Sequence, residues 1–226
     1  MGDVHGEFGL LNSFIAKKHP KIIIVCGDFG YWPRLKDKPK NPKYPKKPKT
    51  VIAGNTKVYF CDGNHEDHWS LRRLENNEIY PNVFYMKRGS ILTLEDGRNV
   101  LFMGGAQSID KDMRIEGRDW FREEEITLED INRLPDANTK IDIVISHTCP
   151  EEMLSQLPNV YNIETNDWSR KALSHVFQIY SPSLWYFGHF HTYKTFYVLG
   201  CRWTCLNMLM SSQWYEKLKD KEKRKR

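Results

Sequence analysis

The sequence predicts an α/β protein in which two β-sheets pack face to face and helices cover the outside. Short apolar runs of strand length recur along the chain and alternate with segments of helical spacing. Several of these runs end in a small residue followed by Asp, Asn or His, as at the carboxyl edge of a parallel sheet. With 226 residues, 40% of them hydrophobic, the chain is long enough for one substantial core.

The first predicted elements are a helix and a buried strand. Residues 7–18 place apolar side chains at helical spacing, and this pattern ends before Pro20. Residues 22–26 are all apolar and lead directly to Gly27 and Asp28. We therefore expect Asp28 at the carboxyl end of a central strand.

A second apolar run continues the first sheet and ends at Gly63, before Asn64 and His65. The pattern predicts a helix over 67–77, with Trp69, Leu71 and Leu74 facing inward, and then strands over 80–86 and 90–94. Asp96-Gly97 predicts a hairpin onto 100–103, so that a second sheet begins in this meander. The polar segment 104–125 predicts irregular structure.

The remaining elements alternate in the same way. Thr127 caps a short helix, and Asp130 three residues later makes the sequence a near miss of the capping box. The later predictions are a strand over 141–145, helices over 150–157 and 166–180, a strand over 184–187, and a hairpin pairing 195–199 with 201–206. The buried face of the long helix is expected to include Trp168.

The positive charge is concentrated in two appendages. Residues 33–50 hold eight basic residues, one acidic residue and five of the eleven prolines, which predicts an exposed loop beside Asp28. It is either a solubilising insertion, with a short hairpin near Thr50, or an electropositive rim for a polyanionic substrate. The tail 216–226 is strongly basic and lacks a core-facing pattern, and the rest of the chain is acidic.

No apolar run approaches the roughly 18 residues of a membrane span, so we expect a cytoplasmic protein with no membrane partner; protein partners are not indicated. Five cysteines without zinc-like spacing argue against a disulfide framework.

Five of the eight histidines follow the apolar runs or open the chain, together with three oxygen ligands. These candidates are Asp3, His5, Asp28, Asn64, His65, His147, His189 and His191. The pattern is Asp-x-His, Gly-Asp, Gly-Asn-His-Glu, His, and Gly-His-x-His. In residue type and order it resembles the calcineurin-like metallophosphoesterase family, in a bacterial-type form, over residues 2 to about 206.

The resemblance implies a four-layer αββα fold, one domain over 1–215, and two divalent metal ions. Asp3, His5 and His191 would hold one ion, Asn64, His147 and His189 the other, and Asp28 would bridge them. Mixed imidazole and oxygen ligands favour manganese, with iron, zinc or nickel as alternatives. Two ions about 3.5 to 4 Å apart lower the pKa of a bridging water, whose hydroxide would attack phosphorus in line.

Two residues are expected to act on the substrate beside this centre. His65 would face the leaving oxygen as general acid or charge stabiliser, as the resemblance implies. Asn64 would also contact the phosphate, and Arg114 would reach it, or else would be a surface arginine paired with Asp110 or Glu116. These assignments predict that truncating His65 lowers turnover and leaves metal binding intact.

The sequence departs from the serine/threonine protein phosphatases of that family. They carry a Gly-Asp-x-x-Asp-Arg-Gly string and an arginine before Gly-Asn-His-Glu. This chain instead has Gly27-Asp28-Phe29-Gly30-Tyr31-Trp32, with Trp32 at the first arginine position, and Asp62 before Gly63. The loss of these arginines removes bidentate phosphate recognition and argues against phosphoprotein substrates. The expected substrate is a phosphorylated small molecule, a nucleotide or a nucleic acid. The alternatives are a nuclease or nucleotide phosphodiesterase, and a non-catalytic nucleic-acid-binding or scaffold module.

Asp3 should follow a first buried strand, but only Met1 and Gly2 precede it, so this strand is missing from the sequence. Either this fold variant lacks the strand, or the true start lies upstream. We expect the second, because a missing central strand would leave its neighbour's backbone groups unpaired.

Overall fold

The computed structural model describes residues 1–34, 50–158 and 167–219. The helices are α1 (Phe8–Lys18), α2 (His68–Arg72), α3 (Leu128–Asn132) and α4 (Trp168–Tyr180), with 3-10 turns at Lys111–Met113, Arg122–Glu124 and Glu151–Gln156. The strands are β1 (Ile22–Val25), β2 (Lys57–Phe60), β3 (Glu78–Tyr80), β4 (Val83–Tyr85), β5 (Ile91–Thr93), β6 (Asn99–Met103), β7 (Ile143–Ser146), β8 (Leu184–Phe187), β9 (Lys194–Val198) and β10 (Cys201–Cys205). None of the helices in these ranges is long and apolar enough to cross a membrane.

The strands form two sheets with parallel centres. In the first sheet the order is β1-β2-β4-β3, and only the β3–β4 pair is antiparallel. The second sheet has the order β5-β6-β7-β8-β10-β9, parallel from β6 to β10 with an antiparallel strand at each edge. Parallel strands end at the same edge, so the loops after β1, β2, β7 and β8 can meet.

Strand alternation divides the core into three layers. In β7, Ile143 and Ile145 belong to the cluster between the two sheets, whereas Val144 faces the cluster that includes residues of α4. On the other side, α1 contributes Leu11 and Ile15 to a third cluster with the first sheet. The order helix, sheet, sheet, helix confirms the predicted two-sheet sandwich.

Several local predictions are wrong. Residues 80–86 are not one strand: Asn82 has φ 62°, and this turn separates β3 from β4, which both join the first sheet. The helix predicted over 67–77 is only the short α2. Trp69 is 44% exposed. The guanidinium groups of Arg34 and Arg73 lie 4.5 and 4.2 Å from its ring centroid and stabilise it there by cation–π contacts. Trp168 is likewise 44% exposed and not on the buried face of α4.

The start of α3 is a complete capping box, although the sequence suggested only a near miss. Thr127 Oγ1 accepts from the Asp130 backbone N–H, and Asp130 Oδ2 accepts from the Thr127 N–H at 3.0 Å. The shorter Asp therefore replaces the usual Glu or Gln. Thr127→Ala should lower the free energy of unfolding by about 1 kcal/mol, whereas Thr127→Ser should lower it by much less. Urea unfolding of both variants measures this difference, and equal losses would contradict the capping role.

The N-terminal residues extend the first sheet beside β1. The Met1 amine donates to Ile24 O at 2.7 Å, and Met1 O accepts from the Cys26 N–H at 2.9 Å, which is a parallel pairing. Burial lowers the pKa of this amine. No strand precedes α1 in the described residues. A groove of about 950 Å³ continues along β1, lined by Ile22, Ile24 and Ile143 among others.

Most of both basic appendages lies outside the described residues. Arg34, at the start of the proline-rich loop, donates two hydrogen bonds to the Asp67 carboxylate, each of 2.7 Å. At the other end, Glu216 accepts from Arg202 at 2.7 and 2.8 Å, and Leu218 packs against the core between the sheets. The predictions made for 35–49 and 220–226 fall outside these ranges.

Candidate metal centre

Candidate ligands from four strand ends and the N-terminal segment meet at one edge of the two sheets. Four of them, His5, Asp28, His189 and His191, have positive φ angles of 49°, 43°, 68° and 47°. This backbone region is uncommon for residues other than glycine and is found at functional sites. The surrounding loops therefore hold these residues in conformations that direct the side chains toward one point.

The first cluster contains Asp3, His5 and His191, whose ligand atoms lie within 4.8 Å of one another. His191 Nε2 is 3.1 Å from Asp3 Oδ2 and 3.0 Å from His5 Nε2. This is the set that the sequence analysis assigned to one ion. One carboxylate and two imidazoles are donors that suit a first-row transition metal.

The second cluster contains Asp3, Asp28 and His147, again within 4.8 Å. His147 Nε2 lies 3.3 Å from Asp28 Oδ1 and 3.0 Å from Asn64 Oδ1. The ring of His189 lies beside His147, with 4.9 Å between centroids. The structure thus brings together all three residues predicted for the other ion, and it adds Asp3, which the sequence analysis placed in one site only.

Asp28, a member of the second cluster, also faces the first cluster. Its Oδ2 is 3.7 Å from His5 Nδ1, whereas its Oδ1 faces His147. Asp28 Oδ1 also accepts a hydrogen bond of 2.8 Å from the His65 N–H. A carboxylate with its two oxygens directed at different clusters has the geometry that a bridging ligand requires.

The charges of the site fit a cation. Asp3 and Asp28 are 0% and 1% exposed, so water does not stabilise their negative charge. Burial opposes protonation of His147, but the Asp28 carboxylate outweighs it and raises the pKa of His147 to about 10. Burial lowers the pKa of His189 to about 3, with His147 acting in the same direction, so His189 is a neutral donor at pH 7.

A backbone carbonyl sets the tautomer of His147. Its Nδ1–H donates to Cys26 O at 2.8 Å, so Nε2 is the ring nitrogen that faces Asn64 and Asp28 and is available to a metal ion once it is deprotonated. Metal-binding histidines usually have such a partner on the nitrogen that does not bind the metal.

Glu66 orients the Asp28 loop, a role that the sequence analysis missed. Its carboxylate is fully buried and accepts from the backbone N–H groups of Phe29, Gly30 and Tyr31 at 2.6, 3.1 and 2.7 Å. It therefore ties the segment after Asp28 to the Asn64-His65 turn. Its position directly after His65 was the feature of the sequence that could have indicated this role.

His65 and Arg114 lie at the open side of the centre. Arg114 Nη2 is 3.2 Å from His65 Nε2 and donates to Asp110 Oδ2 at 2.8 Å. The expected ion pair with Asp110 is therefore present, and the same guanidinium also reaches the site. The ring of His65 lies 5.4 Å from that of His5. Burial lowers the pKa of His65.

His68 does not line the cleft, because it is 0% exposed and its Nε2 donates to Gly63 O at 3.0 Å. It belongs to a buried polar layer with Asp62, which lies 3.8 Å from His68 Nδ1. Asp62, the residue before Gly63, therefore belongs to an internal ion-pair network that includes Arg88.

Comparisons with known proteins bear on the fold and on the family of this chain. No curated protein matches the sequence. The solved structure of TT1561 of Thermus thermophilus has a TM-score of 0.50 and 13% identity, over 92% of this chain and 88% of that chain. A second structure has a TM-score of 0.49 and 13% identity, over 92% of this chain and 89% of that one.

The family model described as calcineurin-like phosphoesterase matches residues 1–193. This match includes both ligand clusters, His65 and Arg114. The chain therefore belongs to the calcineurin-like phosphoesterase family, whose domain implies a metal-dependent hydrolase acting on phosphate esters.

Proposed function

We propose that this protein hydrolyses phosphomonoesters or phosphodiesters with a dinuclear metal centre. The observation that supports it is the position of Asp28, with one oxygen toward each of two ligand clusters. Asp3, His5 and His191 would hold one ion, and Asn64, His147 and His189 the other. Two divalent ions supply positive charge to the phosphoryl oxygens and make a hydroxide available at neutral pH.

The protein's own groups complete the site. His65 is anchored through its backbone N–H to Asp28, and its ring lies on the side of the cleft that Arg114 also reaches. In this position His65 would face the leaving oxygen, and Arg114 would stabilise negative charge on the phosphate. The Asn64 amide would contact the substrate as well as a metal ion.

The donor chemistry favours manganese, with iron, zinc or nickel as alternatives. Turnover of an aryl phosphate and a bis-aryl phosphate by metal-depleted protein, with each ion added back and magnesium as the control, tests the activity. We expect turnover with at least one transition metal and little with magnesium. No turnover with any ion would favour the scaffold alternative.

A wider panel tests the substrate class. The comparison of a phosphomonoester, a phosphodiester, a dinucleotide and a phosphopeptide separates a phosphatase from a nuclease or nucleotide phosphodiesterase. We expect the phosphopeptide to be the poorest substrate. In the described residues, Arg114 is the arginine that lies beside His65, and its guanidinium group is also bonded to Asp110, so it is less available for bidentate recognition of a phosphate. Efficient phosphopeptide hydrolysis would contradict this.

Truncation of His65 tests its proposed role. His65→Ala should lower kcat by about 100- to 10,000-fold, because general acid catalysis contributes that range, while the metal content stays unchanged. His175→Ala is the matched control, since His175 is exposed on α4 far along the chain from the ligand loops. Metal analysis beside the kinetics decides the point: loss of bound metal in His65→Ala would make His65 a ligand.

A further inference from the structure

The amide of Asn64 is held at both ends. Its Oδ1 lies 3.0 Å from His147 Nε2, and its Nδ2 donates a 3.0 Å hydrogen bond to Ser108 Oγ. Asn64 is 4% exposed, so water has little part in orienting it. Only the oxygen end of an amide can bind a cation, because the NH₂ group is a donor. The amide orientation therefore determines whether Asn64 can serve as a ligand.

The Ser108 hydroxyl accepts from the Asn64 N–H because it donates its own proton to Glu124. The Ser108 hydroxyl donates to Glu124 Oε2 at 2.9 Å, and the Ser108 backbone N–H donates to Glu124 Oε1 at 2.6 Å. Burial raises the pKa of Glu124 to about 7, so the ionised form is the major one above pH 7. This form can only accept, and it therefore fixes the direction of the hydroxyl proton. The remaining lone pair of Ser108 faces Asn64 as an acceptor.

Glu124 is itself fixed in a buried position. Its side chain is 0% exposed, and its backbone carbonyl accepts from the Ala106 N–H and from Arg88 Nη2, both at 3.0 Å. The directional chain therefore runs from a rigid carboxylate through Ser108 to the Asn64 amide. With the Ser108 proton directed at Glu124, the flipped amide would place the Asn64 oxygen against an acceptor lone pair of Ser108, which disfavours that orientation.

We propose that Ser108 and Glu124 are positioning residues that hold the carboxamide oxygen of Asn64 toward a divalent cation beside His147. This inference rests on the proposed dinuclear function and deepens it. It assigns a role to the irregular segment 104–125, because two residues of that segment keep Asn64 oriented to bind the second metal ion. Neither residue touches the reacting atoms.

Removal of the Ser108 hydroxyl tests the proposal. Ser108→Ala leaves the Asn64 NH₂ without its acceptor, so the second manganese ion should bind about 10- to 100-fold more weakly, the range for lost outer partners of metal ligands. The first ion should bind as in wild type. Ser108→Thr keeps the hydroxyl and is the matched variant that should restore the affinity.

The measurement is a manganese titration of metal-depleted protein. Calorimetry and electron paramagnetic resonance monitor the binding of each ion. In wild type the spectrum should change from a mononuclear to an exchange-coupled signal as the second ion binds. In Ser108→Ala this change should need a higher manganese concentration, and kcat should recover largely at saturating metal. A merely structural defect would lower both affinities and would not be repaired by metal.

The outcomes are distinct. Unchanged binding of two ions in Ser108→Ala overturns the proposal and leaves the proposed function standing. Fewer than two ions in wild type overturns the proposed function itself. If Ser108→Ala fails to fold, Ser108→Cys replaces the hydroxyl by a weak acceptor of similar shape and is expected to weaken the second site in the same way; unchanged binding in that variant also overturns the proposal.

Discussion

Asp28→Asn should reduce turnover of an aryl phosphate by on the order of 1,000-fold and should reduce bound manganese from two ions per chain toward one. The wild-type carboxylate offers one oxygen to each cluster, with Oδ1 3.3 Å from His147 Nε2 and Oδ2 3.7 Å from His5 Nδ1. An asparagine has one oxygen, so it can serve one cluster only. It also removes a negative charge that would attract both cations.

Metal analysis of the purified variant, with kinetics at saturating manganese, measures the effect. Asp112→Asn is the matched control, because it makes the same change of charge on an exposed residue of the Lys111–Met113 turn. The control should retain wild-type turnover and metal content. Two ions per chain together with turnover within tenfold of wild type in Asp28→Asn would exclude the bridging role.

Arg88→Met should lower the free energy of unfolding by about 3 to 5 kcal/mol, the typical cost of breaking a buried ion pair. The Arg88 side chain is 1% exposed and donates to Asp62 Oδ2 at 2.5 Å and to Asp130 Oδ2 at 2.8 Å. It also donates to the carbonyl oxygens of Glu123, Glu124 and Glu125. Methionine fills a similar volume but leaves the buried Asp62 carboxylate without its arginine partner, whereas Asp130 keeps Arg72 at 3.1 Å.

The pH dependence gives this prediction a second readout. In wild type, burial opposes ionisation of Asp62 and Asp130, but Arg88 outweighs it and lowers the pKa of both. Their contribution to stability is therefore present above about pH 4, the usual aspartate value, and is lost as pH falls. Without Arg88, burial should raise the pKa of Asp62, while Arg72 still opposes such a rise at Asp130, so that acid favours the folded variant through Asp62. The stability difference should therefore narrow as pH falls below about 5.

Guanidinium chloride unfolding between pH 4 and 7 measures both effects. Arg118→Met is the control, because Arg118 pairs with Asp119 on the surface and such pairs contribute less than about 1 kcal/mol. A loss below 1 kcal/mol in Arg88→Met, or a difference that widens in acid, would contradict the assigned network.

The family and the main site candidates could be predicted from the sequence because their signals are local. Each apolar run ends where its strand ends, and the next residues are polar, so Asp28, Asn64 and His147 could be placed at one sheet edge. The geometry brings these residues together as expected. The roles assigned to them remain predictions, which the experiments above test.

Local patterns were less reliable where the chain turns. The β3–β4 turn at Asn82 interrupts residues 80–86, which were predicted as one strand from their apolar and aromatic content although Pro81 and Asn82 are turn-forming residues. Trp69 and Trp168 were expected inside because they are large and apolar, but both are 44% exposed. Trp69 lies beside the guanidinium groups of Arg34 and Arg73. Arg34 is distant from Trp69 in the sequence, so this contact could not be read from the local pattern.

The sequence by itself determined the sandwich, the order of the ligands along the chain and the chemistry of the donor set. Only the tertiary structure decided how those ligands are held: Arg88 meets Asp62 and Asp130 from 26 and 42 residues away, and Ser108 meets Asn64 from 44 residues away. Backbone periodicity depends on near neighbours and is visible in the sequence. Buried polar partners are chosen by the requirement that each buried donor and acceptor be satisfied, which depends on how the distant segments fold together.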